Sequence, residues 1–409
     1  MRIGIITTWF ERGGAYVSRA YRDILAQKHE VFIYARTGEY AKGDPNWDLD
    51  YVTWGRVCTS RATAVDFVDL KGWVKRHGIE MLIFNEQWDF TAVVFCRRYL
   101  DVAIGAYVDY YRANTVEFFD LYDFLLCNTK RHYSVFKHHP RALYIPWGTD
   151  CCLFQGTGER VYPDCVVFFH SSGLSPDRKG TRVALEAFRL LSGNSRFVWH
   201  SQVPISAWPE LEQIARSDRR VEVLEGAIHA PGLFHLGDVY VYPTVLEGIG
   251  LTIVEALACG LPVIVPDVAP MNEFVRHGEN GRLVPPFEYR GRWDGYYWPE
   301  CYCAPEAVAE PMRYYLDNQE RLRDEKRKAM AFAREHLDWK KNASHLPEIV
   351  EELKDSKRLR TDLHALEEKV FREAVLPPGK AIVMRMIRRR LWFRRIFRRI
   401  PALQWWAYR

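Results

Sequence analysis

Short apolar runs separated by helical stretches recur in two series along the chain, and this alternation constrains the fold more than any other feature. The first series lies at residues 2–7, 31–35, 81–84, 103–108 and 124–127; the second lies at 166–169, 197–200, 221–224, 239–242 and 262–265. Strands that alternate with helices pair in parallel, with helices covering both faces of the sheet. A chain of 409 residues exceeds one ordinary core, so the prediction is an α/β architecture of two Rossmann-like domains facing a cleft. The expected division is 1–150 for the first domain, 151–345 for the second, 346–378 for a helical return segment, and 379–409 for a basic aromatic tail. In open sheets, ligands bind outside the carboxyl ends of the strands, which places the active site between the domains.

Composition narrows the class. The sequence is 48% hydrophobic and 14% aromatic, enough to fill both cores. Its nine cysteines are odd in number, and neither Cys151-Cys152 nor Cys301-Tyr302-Cys303 has zinc-site spacing, so they read as reduced thiols of a cytoplasmic protein. Met1-Arg-Ile-Gly-Ile-Ile-Thr-Thr8 reads as a buried strand rather than a signal peptide. No run of about 18 apolar residues occurs, so no membrane span is expected. Asp48-Leu49-Asp50 has a metal-binding form, but it sits in a polar loop without a strand to aim both carboxylates, and no metal or cofactor is expected.

The most informative motif runs from Asp238 to Asp267. An aromatic and β-branched strand is broken by Pro243 and by Gly248-Ile249-Gly250, and a helix then begins at Leu251 and stops at Gly260 and Pro262. Unpaired backbone N–H groups at Gly250, Leu251 and Thr252 lie at the positive end of the helix dipole and suit a diphosphate. The carboxylates of Glu247 and Glu255 only accept hydrogen bonds, so hydroxyl groups flanking the diphosphate are their better partners. A nucleotide sugar offers such hydroxyls on both its sugar and its ribose.

Glu247 and Glu255, followed by Ala-Leu-Ala-Cys-Gly-Leu-Pro-Val-Ile264 and by Asn280-Gly-Arg-Leu-Val284, resemble the Glu-seven-Glu signature of the retaining GT-B glycosyltransferases, the group-1 family. The resemblance covers roughly residues 1 to 345 and is stronger in the second half. It implies transfer of a sugar from a nucleotide-diphosphate sugar to a hydroxyl acceptor with retention of configuration. Glu255 would hold the ribose hydroxyls and Glu247 the hydroxyls of the transferred sugar. The loop Ser172-Gly-Leu-Ser-Pro-Asp-Arg-Lys-Gly180 is similar to the family's basic phosphate loop, with Lys179 at the lysine. Gly173 stands where the family has arginine, and Arg178 either supplies the missing charge or faces solvent.

In the first half, Gly13-Gly14 resembles the family's glycine pair near the donor; the alternative is a tight turn that needs positive φ. Relatives place a histidine after the strand at 103–108, whereas this chain has Asp109, read either as a sugar contact or as a helix cap. Glu86 and Asp89 follow the strand at 81–84 and are candidates for acceptor contact. Trp293 and Trp298 belong to an aromatic insert at 286–303, which either stacks on an acceptor or packs as a satellite cluster under a loop.

Of the 57 Lys and Arg residues, ten lie in the tail at 379–409, which has no acid, so the body carries 47 basic against 52 acidic residues. Apolar residues and tryptophans interleave these arginines, which suits an anionic membrane surface; docking onto the acidic body or another protein is the alternative, and nucleic acid is not expected. The resulting expectation is assembly of a cell-surface glycan or a glycolipid on a glycan or lipid-linked acceptor, by an enzyme peripheral on the inner membrane face. Two other classes remain: a nucleotide-sugar epimerase or hydrolase, and a noncatalytic membrane-associated scaffold.

Overall fold

The computed structural model describes residues 1–58, 63–156, 162–355 and 362–374. The basic tail at 379–409, and the membrane partner expected of it, lie outside the described residues.

Apolar residues on both faces of the central strands dictate two parallel sheets sandwiched by helices. The first sheet contains β1 (Arg2–Thr7), β2 (Glu30–Ala35), β3 (Val52–Trp54), β4 (Met81–Asn85), β5 (Ala103–Tyr107), β6 (Phe124–Cys127) and β7 (Ala142–Tyr144), in the order β3-β2-β1-β4-β5-β6-β7. The second contains β8 (Val166–Gly173), β9 (Ser195–Ser201), β10 (Val221–Glu225), β11 (Val239–Val241), β12 (Val263–Pro266) and β13 (Gly281–Val284), in the order β10-β9-β8-β11-β12-β13. Every pairing within these two sheets is parallel. Central β4 and β5 are buried along their whole length, whereas edge strands β3 and β7 are partly exposed and only three residues long.

The helices are α1 (Gly13–Leu25), α2 (Phe67–His77), α3 (Thr91–Tyr99), α4 (Lys130–Phe136), α5 (Thr181–Arg189), α6 (Pro209–Arg216), α7 (Leu251–Ala258), α8 (Pro305–Asp317), α9 (Gln319–His336), α10 (Trp339–Asn342), α11 (Leu346–Glu352) and α12 (His364–Ala374). Strand order reverses between β1 and β4 in one sheet and between β8 and β11 in the other. The loops after these four strands open at the switch points, where α/β sheets bind their ligands.

The last helices return to the first domain. Trp339 is buried against Trp147 and Tyr21, at ring separations of 4.6 and 5.2 Å, and its indole N–H donates to the Ala20 carbonyl at 3.0 Å. The crossing therefore begins before residue 346, at the stretch where Thr149 and residues 337–339 exchange backbone hydrogen bonds. On α12, Glu367 lies between Arg97 and Arg98 of α3, at 3.2 and 2.6 Å. The segment thus clasps both sides of the first sheet.

The aromatic insert forms an antiparallel hairpin, β14 (Glu288–Arg290) and β15 (Glu300–Tyr302), outside either main sheet. Its tip reaches the first domain, where Tyr296 bridges to Arg112 and the Tyr297 N–H donates to the Tyr111 carbonyl at 2.9 Å. Tyr296, Trp298 and Tyr302 pack with Val245, Leu246 and Tyr110 in a small satellite cluster that straddles the domain boundary, whereas Phe287, Tyr289, Trp293 and Tyr297 are exposed.

Candidate active site

Glu247 follows β11 and is 6% exposed. Four donors converge on its Oε1: Lys179 Nζ at 2.6 Å, Thr244 Oγ1 at 2.8 Å, Tyr242 Oη at 2.9 Å and Arg178 Nη1 at 3.3 Å. Burial by itself would raise the carboxyl, but the charges of Lys179 and Arg178 and the hydrogen bonds from Lys179 and Thr244 outweigh it and hold the group near pKa 2. Glu247 is therefore an anion at any physiological pH. Burial and then the neighbouring Arg178 push Lys179 down to about 8, opposed by Glu247. Arg178 also donates to the Leu246 carbonyl at 2.6 Å, so it faces the cleft rather than solvent.

Next to this cluster, α7 starts at Leu251 behind Gly250, whose φ of +96° is a left-handed turn that suits glycine. From the other domain, α1 begins at Gly13, and a Cβ placed on Gly13 would lie 3.4 Å from Leu251 Cδ1. The first residues of the two helices therefore approach one another across the domain boundary, with the Lys179–Glu247 cluster just before α7. Opposed positive dipole ends and a lysine in a poorly solvated space make a strong site for a polyanion. Leu251 and Thr252 form the first turn of α7, and Glu255 is its fifth residue. Burial raises the Glu255 carboxyl to about 7, against the pull of Lys179.

The glycine pair at the start of α1 is in neither case left-handed, so the positive-φ turn is not the reason for it. Gly14 lies under the Glu86 carboxyl, which a Cβ there would meet at 2.8 Å and have to displace. Glu86 itself has φ +50°, a conformation costing a non-glycine residue roughly 1–3 kcal/mol and found mainly at functional sites. Its carboxylate pairs with Arg12 at 3.0 Å. A Cβ on Gly248 would lie 2.4 Å from Asp109 Oδ1, so the loop of the second domain lies directly against Asp109 of the first. Burial, the adjacent Glu86 charge and a hydrogen bond between the two carboxyls raise Asp109 to about 7, with Arg12 opposing. Asp109 caps none of the described helices: the next helical turn, from Ala113, follows Arg112.

Other candidates fall elsewhere. Asp89 Oδ1 accepts from the Thr91 N–H and O–H at 3.1 and 2.6 Å, and its buried carboxylate anchors the start of α3 rather than facing an acceptor. Trp298 donates to Tyr111 Oη at 2.6 Å and lies under Arg131, a position that joins the domains. Trp293 is exposed on the hairpin. Asp48 accepts from the Gly43 N–H and the Trp54 indole, a loop-stabilising role. Among the described residues, no group of three or more His, Cys, Asp and Glu is placed to hold a metal ion.

Sequence reasoning missed Arg131 and His132. Both lie at the start of α4 behind the Thr129 cap, and they hold the donor-side loop by its carbonyls. Arg131 donates to the carbonyls of Glu247 and Ala269, and His132 Nε2 lies 3.0 Å from the Gly248 carbonyl. Burial, then Arg131, pushes His132 down to about 3, so the ring is neutral. It donates from Nε2 to Gly248, and Nδ1 accepts from Tyr111 Oη at 2.9 Å, which in turn accepts from Trp298. Glu273 accepts from the Lys130 and Arg131 N–H groups at 2.6 and 2.8 Å. The basic triplet after a strand was the available signal, but its partners come from the other domain.

Two facing Rossmann-like domains, with helices crossing back from the second to the first, define the GT-B fold of glycosyltransferases. Residues 165–291 match the family described as Glycosyl transferases group 1. A glycosyltransferase from Rickettsia africae superposes with a TM-score of 0.70 at 12% identity, covering 86% of this chain and 98% of that one. Anabaena HepE in complex with UDP-glucose superposes with a TM-score of 0.66 at 16% identity, covering 86% and 100%. Among curated relatives, the GtfA subunit of a UDP-N-acetylglucosamine–peptide N-acetylglucosaminyltransferase from Streptococcus pneumoniae is 25% identical over 308 residues, 66% of this chain and 59% of that protein. A D-inositol 3-phosphate glycosyltransferase from Pseudarthrobacter chlorophenolicus is 31% identical over 137 residues, 34% of this chain and 31% of that protein. The matches thus span about three fifths or less of these relatives.

Glu255 provides a test by pH. Its folded pKa of about 7 stands above the ordinary 4.5, so the stability it contributes is complete below about pH 4.5 and is lost as pH rises through 7. Glu255→Gln removes this titration. The variant's thermal midpoint is expected to fall less than wild type between pH 4.5 and 8; parallel curves would contradict the assignment.

Proposed function

We propose that the chain is a retaining glycosyltransferase that moves a sugar from a nucleotide-diphosphate sugar to a hydroxyl acceptor. The observation that carries this reading is the meeting of the α1 and α7 N-termini beside Lys179, with Glu247 and Glu255 on either side of the α7 start. The diphosphate would occupy the N–H groups of Gly13, Gly14 and residues 250–252. The ribose hydroxyls would donate to Glu255. The transferred sugar would donate to Glu247 Oε2, which no hydrogen bond among the described residues engages.

Cleavage of the sugar–phosphate bond leaves negative charge on the departing diphosphate, which Lys179 and Arg178 would stabilise. Retention follows if the departing phosphate oxygen takes the proton of an acceptor attacking from the same face, so the protein supplies no nucleophile. Uridine is the first base to test, because HepE binds UDP-glucose and GtfA was solved with UDP and GlcNAc.

Thermal-shift titration with UDP, GDP, ADP and dTDP is expected to show stabilisation by one nucleotide, lost in Glu255→Ala. No shift with any of them would contradict the donor reading and favour a noncatalytic scaffold.

A role in cell-surface glycan or glycolipid assembly draws on relatives named as an O-antigen chain mannosyltransferase and a colanic acid biosynthesis glycosyltransferase. No helix among the described residues is long and apolar enough to cross a membrane. Membrane contact would come from the basic tail at 379–409, whose arginines and tryptophans suit an anionic surface. Anionic phosphatidylglycerol vesicles should retain the full chain at low salt and release a chain ending at Val375; equal retention would sink this assignment.

A further inference from the structure

Next to the carboxyl pair lies a ladder of aromatic rings that the donor reading does not use. Trp88 lies against Tyr110 at 4.3 Å between centroids and 31° between planes, and Tyr110 stacks on Tyr296 at 5.2 Å and 21°. Tyr296 comes from the second domain, on the hairpin, and its hydroxyl donates to the Asp109 carbonyl at 3.2 Å. The inner end of the ladder is buried, whereas Trp88 at the outer end is 41% exposed. With one indole face against Tyr110, that exposure leaves surface on the other.

The exposed indole is held on a rigid support. Buried Arg36 donates to the carbonyls of Asn85 and Glu86 at 2.6 and 2.9 Å and to the Gln87 side chain at 3.3 Å. Gln87 in turn donates to the Asp89 carbonyl at 2.7 Å, and the Trp88 N–H donates to Thr63 Oγ1 at 2.8 Å. Glu86, two residues before Trp88, holds its left-handed φ within this frame. A large apolar ring presented to solvent on a strained and fully bonded loop is a feature expected of a binding surface, not of a mobile surface side chain.

We infer that Trp88 and Tyr110, completed by Tyr296, form the acceptor subsite, and that the acceptor presents a saccharide ring; this rests on the transferase reading above. A pyranose has one face of polarised C–H bonds, which suits the negative face of an indole, and a rim of hydroxyl donors. Trp88 lies two residues from Glu86, and Tyr110 adjoins Asp109. Carboxyls able to exchange hydrogen bonds with sugar hydroxyls therefore adjoin both aromatic residues along the chain. The hairpin makes the subsite a product of both domains.

The test uses the full chain and saturation-transfer NMR with methyl glycosides of glucose, galactose, mannose and N-acetylglucosamine, with and without UDP, beside inositol phosphate. At least one glycoside should give a signal. Trp88→Ala should reduce it fivefold or more, Trp88→Phe should retain most of it, and both variants should keep the wild-type thermal midpoint and UDP affinity. The inference is overturned if no glycoside gives a signal under either condition, if Trp88→Ala leaves the signal unchanged, or if inositol phosphate alone binds. Loss of UDP binding in the wild type would strike the donor reading instead, and the nucleotide-free arm would still decide this one.

Discussion

The buried contact between Lys179 and Glu247 organises the site. Neither charge would persist alone in that space, because removing an ion from water costs several kcal/mol after relaxation. Arg178, Tyr242 and Thr244 share the load by bonding the same carboxylate oxygen. The cluster fixes the loop after β8 to the loop after β11, and so sets where α7 starts. The position of that helix N-terminus is a consequence of this fixation and of the left-handed turn at Gly250.

The same loop is gripped from the first domain. Arg131 and His132 take the carbonyls of Glu247 and Gly248, while Asp109 lies directly against Gly248. Tyr111 links His132 to Trp298, so the hairpin, α4 and the donor-side loop form one hydrogen-bonded path across the cleft. The return helices fasten the domains a second time, at Trp339. Two independent fastenings keep α1 and α7 facing each other, and neither helix N-terminus alone would select a diphosphate over a smaller anion.

Much of this was legible in the sequence because it rests on local pattern. Two series of apolar runs announced two parallel sheets, and glycine and proline placed the α7 start to the residue. What escaped was short or non-local. Strands β3, β7, β14 and β15 lie at sheet edges or outside the main sheets, where partly exposed residues give no continuous apolar run of the kind that marked buried β11. Asp89 followed a strand as Glu86 did, yet it turned back to Thr91, a choice made by rotamer and packing rather than spacing. The glycine pair was recognised, but its neighbours, the Glu86 carboxyl over Gly14 and Leu251 beside Gly13, required the fold to bring them together. Arg131 and His132 gained their meaning from a loop more than a hundred residues away.

The central claim is that two helix N-termini and Lys179 bind a diphosphate jointly. Calorimetric titration of the protein with UDP and UMP, beside Lys179→Ala, tests it most directly. The account predicts that UDP binds at least tenfold more tightly than UMP and that the variant loses most of this difference. Equal affinity for the two nucleotides in the wild type, or a difference unchanged by Lys179→Ala, would contradict it.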